Sequence, residues 1–224
     1  MKIRGILLAL TLLARVAPAQ QRVAAVDSVF ITTHFGSDNK ELDQLMSRVL
    51  RIEKHHFEVH NPTLAGKVFH LTFQEYRNGV PGPEKELTDN PKGLTSFDKA
   101  GNFTLDVFAR QAGDASLENT FMFAQGMNVK SFKPVADRAD QYSMRPDIWS
   151  YRRIKNPAAA SGVRPSEGRN FPVGQKIPFL VYTLPYEEDG FLYYCSVAHS
   201  KIPITSWYAK FKVPHFVVYN LIIE

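Results

Sequence analysis

The chain has 224 residues, of which 44% are apolar, and its 27 basic residues against 22 acidic ones give a formal charge of +5. That length suits one large or two small domains, and the apolar content suffices for a real core. Cys195 is the only cysteine, which excludes an intrachain disulfide and with it a disulfide-stapled scaffold, so stability has to come from packing.

The first residues, MKIRGILLALTLLARVAPAQQ, predict a cleavable signal peptide over residues 1–19. Lys2 and Arg4 form a short positive segment, and Ile6 to Leu13 an apolar run too short to span a bilayer. Ala17-Pro18-Ala19 supplies the small residues that a signal peptidase accepts. An ordinary N-terminal helix is the alternative, but no polar face lines it. No cysteine follows the apolar run, which rules out a lipid anchor at a mature N-terminal cysteine. Cleavage removes Lys2, Arg4 and Arg15 and no acid, lowering the formal charge to +2. The nucleic-acid and anionic-membrane readings that a basic chain invites then lose most of their support. No later apolar stretch reaches the length of a transmembrane anchor, so the expectation is an exported protein, periplasmic or secreted, with residues 20–224 as one β-rich domain.

Val23 to Phe35, rich in β-branched residues, predicts a first strand ended by Gly36. A helix follows to about Arg51, capped by Asp38, with Leu42, Leu45, Met46 and Val49 as its buried stripe. His56 to His60 reads as a short strand, and Lys67 to Tyr76 as a longer one with Phe69, Leu71 and Phe73 alternating against Val68, His70 and Thr72. Asn78-Gly79 is a turn signal and Pro81 to Pro91 a surface loop. Phe103, Leu105, Val107 and Ala109 recur at period two, and Glu118 to Ala124 presents Phe121 and Phe123. From Pro134 to Gln175 prolines, glycines and arginines replace the periodic pattern, predicting a long irregular excursion over 134–175. Lys176 to Leu184 and Phe191 to Ala198 then read as a hairpin turned by Asp189-Gly190, and Thr205 to Val213 and His215 to Ile223 as two strands joined at Pro214.

About eight to ten strands and one short N-terminal helix predict a mainly β fold, an antiparallel β-sandwich. The alternative is an α+β arrangement, an open antiparallel sheet backed by the helix.

Nucleophile elbows, zincin motifs, P-loops and dinucleotide fingerprints are all missing. The densest metal-capable group is Glu53, His55, His56, Glu58 and His60; on a strand, His56, Glu58 and His60 share one face, where two imidazoles and a carboxylate can approach a cation. On an edge strand the same side chains are simply solvated. Cys195 and His199 suggest a cysteine nucleophile with its base, but on a strand they lie about 13 Å apart, and Cys195 between Tyr193 and Val197 reads as a buried core residue. The acids of Tyr186-Glu187-Glu188-Asp189-Gly190 read as solvated turn carboxylates, without the spacing of a calcium loop. Asn102-Phe103-Thr104 is a glycosylation acceptor only in a eukaryotic host. The excursion is the better functional candidate. It gathers Tyr142, Arg145, Trp149, Tyr151, Arg152 and Arg153, with Arg138, Arg164 and Arg169 nearby, and aromatics interleaved with arginine are what contact surfaces use. Otherwise its aromatics pin the loop to the fold and its arginines pair with Asp137, Asp140 and Asp147.

The segment LAGKVFHLTFQEYRNG, Leu64 to Gly79, together with the signal peptide, resembles exported bacterial β-rich proteins without an assigned activity, and the resemblance implies no catalytic residue. The expectation is a non-enzymatic binding protein of the envelope or secreted fraction, with no cofactor, engaging a protein or glycan and no nucleic acid. The alternatives are a hydrolase of envelope polymers using dispersed carboxylates, and a structural component of an envelope assembly.

Overall fold

The computed structural model describes residues 28–88, 95–113, 115–146, 153–155 and 167–224. The predicted signal peptide lies outside them. Among the described residues the chain is mainly β, with short helical turns and antiparallel sheets. The elements that build one sheet are β1 (Ser28–Phe35), β2 (Glu53–His60), β6 (Asn102–Gln111), β7 (Leu117–Phe123), β8 (Gly126–Phe132), β10 (Arg153–Lys155) and β11 (Glu167–Pro172), in the order β10-β11-β1-β2-β6-β7-β8. The second sheet runs β4 (Val80–Pro81), β3 (Phe69–Arg77), β15 (His215–Ile223), β12 (Ile177–Thr183), β9 (Ser143–Arg145), with β5 (Lys85–Glu86) also on β3. A separate hairpin pairs β13 (Tyr186–Glu188) with β14 (Phe191–Tyr193).

Both sheets contribute to one core. Period two puts Leu105, Val107 and Ala109 of β6 and Leu117, Phe121 and Phe123 of β7 inward, as the alternation demands. Phe57 meets Phe179 edge-on at 5.3 Å, Phe121 meets Tyr219 at 4.8 Å and Phe69 meets Phe103 at 4.0 Å, each pair joining one sheet to the other. β15, between β3 and β12, is buried almost throughout, so side chains on both of its faces are covered. Pro214 sits at the junction immediately before it, where its missing N–H costs no ladder bond. Among the described residues neither sheet closes on itself.

Several elements depart from the sequence reading. The N-terminal helix is capped by Asn39, whose side chain accepts from the amides of Glu41 and Leu42, and not by Asp38. Its α-helical part, α1 (Lys40–Gln44), gives way to a π turn over Leu45–Val49, in which Leu50 N–H bonds to Leu45 O. The wider turn breaks the 3.6-residue stripe: Met46 alone is buried, while Leu42, Leu45 and Val49 are exposed. The 134–175 excursion is not irregular throughout, since β9 joins β12 and β11 lies inside the sheet between β10 and β1. Thr205 to Val213 is a 3-10 turn followed by a helix, which we number α3 (Trp207–Phe211). Trp207 and Phe211, four apart, fit both a strand's period of two and a helical turn, and packing selects the helix. Finally, β8 carries no strong alternation of its own and becomes a strand by pairing with β7.

The predicted Asp189-Gly190 turn forms, with both residues at positive φ, but it closes Tyr186–Glu188 on Phe191–Tyr193, while the segment expected to pair with Phe191–Ala198, Ile177–Thr183, pairs instead with β15 and β9. After β14 the chain turns into a short helix, α2 (Cys195–Ala198), which buries Val197 and Ala198 and leaves Cys195 exposed. Cys195 is therefore not a core residue. The strand-based separation from His199 also falls away, since the His199 amide donates to the Cys195 carbonyl at 2.8 Å, one helical turn on.

Candidate binding cleft

The β13–β14 hairpin and α3 enclose an open cleft of about 550 Å³, lined by Arg138, Tyr186, Glu187, Glu188, Lys210 and Lys212 together with Pro185 and Phe211. That volume lies in the usual range for ligand and peptide sites. Tyr186 is its central ring, stacked on Tyr193 at 5.2 Å and tilted against Phe211 at 5.1 Å. Tyr186 and Phe211 also pack on the core, so this aromatic wall is fixed from behind. The Tyr186 hydroxyl donates to Glu188 at 3.2 Å, and Arg138 is held by its Nε–H donating to Gln141 at 2.9 Å. Lys212, in left-handed conformation, ends α3 and brings its ammonium over the Tyr208 ring. Beside the cleft, Phe191, Leu192 and Tyr193 of β14 are exposed by 66%, 48% and 38%.

Glu187 and Glu188 are consecutive on an extended strand, so their side chains start from opposite faces of β13, although both residues border the cleft. Three cations and two carboxylates leave the cleft with one net positive charge.

The residues singled out in the sequence scatter. Tyr142 is buried and belongs to a hydrogen-bond relay. The Val135 amide donates to its hydroxyl at 3.1 Å, the hydroxyl donates to His215 Nδ1 at 2.6 Å, and His215 Nε2–H donates to Glu75 at 2.9 Å. Arg77 holds the same carboxylate at 2.6 Å. Burial pushes Tyr142 up to about 12 and His215 down to about 4, the Arg77 charge adding to the latter, so His215 is neutral at pH 7. With every hydrogen accounted for, the relay fastens β3, β15 and the approach to β9.

Arg145 stacks over the Tyr194 ring at 5.2 Å. Trp149, Tyr151 and Arg152 lie outside the described residues, and Arg153 stands on β10 opposite Arg169. Arg138, from the start of the same excursion, is the residue that reaches the cleft.

On β2 the histidine-rich segment splits between faces. His56, Glu58 and His60 do share the outward one. There His56 Nδ1 meets Asp106 at 2.8 Å and His60 pairs with Asn102. No group of three or more His, Cys, Asp or Glu side chains able to hold a metal ion occurs among the described residues. Glu53 and His55 face inward. Glu53 accepts from Ser143 Oγ and from the Met144 amide, both at 2.5 Å, tying β2 to β9 across the core. Burial raises its pKa against those bonds. His55 is 2% exposed with neither ring nitrogen in a well-formed hydrogen bond; burial followed by the Arg145 charge lowers its pKa to about 4, against a weaker pull upward from the Met144 backbone.

Tyr186, Phe211, Lys210 and Lys212 were not singled out by the sequence. Tyr186 and Phe211 are 25 residues apart and meet only because α3 folds back on the hairpin. The one local signal was the Asp-Gly turn, which places β13 and β14 side by side.

Fold and site together describe a mainly antiparallel β protein with an aromatic, mixed-charge cleft. No protein-family model, no curated protein and no solved structure matches the chain.

Proposed function

We propose that this chain is an exported, non-enzymatic binding protein of the cell envelope or secreted fraction. It engages a protein partner through the cleft between the β13–β14 hairpin and α3. The observation that carries this reading is the run of exposed Phe191, Leu192 and Tyr193 beside the Tyr186–Phe211 wall. Exposed apolar residues clustered at a concave site favour contact with another macromolecule, and aromatic anchors flanked by arginine supply most of the energy at such contacts. Consecutive Glu187 and Glu188, starting from opposite faces of β13, support a binding role at this site better than a hydrolytic pair. Export rests on the N-terminal segment, and the arrangement of two antiparallel sheets over one core is read as a β-sandwich.

The test immobilises the mature chain and passes envelope proteins and, separately, purified envelope glycan over it. The parent retains a defined protein that Phe191→Ser loses at least in large part; Phe191 is exposed, so the fold is unaffected. Retention of the same protein by both refutes the proposal, as does retention of glycan alone.

A further inference from the structure

Sheet edges are where a β protein is open to pairing with another chain, and this fold guards its edges unequally. The end strands β4, β9 and β10 have two, three and three residues, and β10 is Arg-Ile-Lys. Short, charged edges are poor templates. The remaining end strand, β8, runs seven residues, Gly126–Phe132, and its only charged residue, Lys130, points inward with its ammonium 5.7 Å from the centre of the Phe73 ring.

The hairpin fixes which backbone groups of β8 are unused. A two-residue loop, Ala124-Gln125, joins Phe123 to Gly126, making these the hydrogen-bonded pair. The pairs Phe121 with Asn128, Asn119 with Lys130 and Leu117 with Phe132 follow in the same phase. The N–H and C=O groups of Met127, Val129 and Ser131 therefore point away from β7, and they make no hydrogen bond among the described residues. The same three residues carry the solvent-side face, where Met127 is 65% and Val129 44% exposed and Met122, opposite Met127, is 45% exposed.

We infer that β8 is a self-association edge, pairing antiparallel with β8 of a second copy about a two-fold axis through Val129. This set of outward groups is its own complement: Val129 meets Val129 of the second copy, and Met127 meets Ser131 of the second copy. Each of these is a hydrogen-bonded pair, six main-chain bonds in all by the antiparallel ladder rule. On the opposite face Lys130 falls against Asn128 of the second copy, so no like charges oppose one another. On the solvent-side face the two valines and flanking methionines form one apolar strip across the joint. The contact is isologous and uses the single long end strand among the described residues of each copy, so it closes at two. A second copy suits this edge better than an unrelated peptide, because the uncharged register arises from the strand's own sequence.

The test is sedimentation velocity of the mature chain from low to high micromolar concentration. The parent passes from monomer to dimer and no further. Position 129 opposes itself, so Val129→Lys sets two ammonium groups face to face and weakens association by about tenfold or more, and Val129→Glu does the same. An equimolar mixture of the two variants regains the dimer. In the parent, the Met127, Val129 and Ser131 amides become more slowly exchanging as concentration rises, a readout that needs no variant. A parent that stays monomeric with unchanged amides overturns the inference, as does a folded Val129→Lys chain that associates like the parent. A mixture no better than its components overturns the register.

Discussion

His55→Leu isolates the energetic consequence of an inward histidine on β2. In the folded chain His55 is 2% exposed, neither ring nitrogen makes a well-formed hydrogen bond, and its pKa is lowered to about 4 by burial and then by Arg145, against a weaker opposing effect of the Met144 backbone. In the unfolded chain it returns to its ordinary value of about 6.5. As the pH falls from about 6.5 toward 4, the unfolded state takes up a proton that the folded state refuses, so stability is lost over that window. At about 1.4 kcal/mol per pKa unit, the loss is on the order of 3 kcal/mol, a large share of the roughly 5–15 kcal/mol typical of a domain. His215, lowered to about 4 as well, adds a comparable loss with the same sign. Glu53 acts oppositely: its raised pKa lets the folded state hold a proton longer, so its contribution is present at low pH and lost as pH rises. Both groups remain in the variant, so comparison with the parent isolates His55. Leucine has nearly the volume of histidine and no polar atoms to strand, so the variant gains about 1–3 kcal/mol at neutral pH. Between pH 6.5 and 4 its stability falls less steeply, by about 1.4 kcal/mol per pH unit. Urea unfolding across that pH range measures both quantities. Parallel stability curves for parent and variant would refute the reasoning, and a less stable variant at neutral pH would show that the ring nitrogens are satisfied.

Further substitutions test the other supports of the fold. Tyr142→Phe strands the Val135 amide and His215 Nδ1, costs about 1–3 kcal/mol and speeds amide exchange at Val135, whereas an unchanged Val135 amide would remove the relay. Glu53→Ala leaves Ser143 Oγ and the Met144 amide without their acceptor; a loss of about 2–4 kcal/mol is expected, with Met144 exchange accelerated more than exchange in β6. Gly101→Ala fails on two counts, since φ is +76° and the added Cβ falls 2.0 Å from the Asn61 carbonyl oxygen, which is backbone and cannot move aside. Its cost is on the order of 4 kcal/mol or more, read as a fall in melting temperature of many degrees, and a shift of only a degree or two would contradict the geometry.

Much of the sheet framework was legible because burial on one face leaves a period of two. The alternation in Phe69 to Phe73 and Phe103 to Ala109 located β3 and β6, Pro214 marked the start of β15, and Asp189-Gly190 marked the turn between β13 and β14. The pattern failed where two periods coincide or where the neighbour supplies the signal. Trp207 and Phe211 satisfy both strand and helix spacing, and the choice fell to packing. Cys195 was placed inside by its apolar neighbours, but the helical turn gave the buried positions to Val197 and Ala198. β11, Glu-Gly-Arg-Asn-Phe-Pro, carries no alternation in its sequence, and its strand pairing with β1 and β10 is set by distant segments.

Composition and local pattern by themselves determined that this chain would be mainly β, without disulfides, built on antiparallel strands joined by turns. These properties depend on residues close together in sequence, where backbone propensity and the two-residue period act directly. The tertiary structure decided the rest. It turned Glu53 and His55 inward and His56, Glu58 and His60 outward, engaged Tyr142 in a buried relay, and assembled the cleft from Arg138, Tyr186 and Phe211. It also left β8 as the one long end strand among those described. Each of these outcomes depends on contacts between segments far apart in the chain, and no local periodicity carries information about which distant segment arrives.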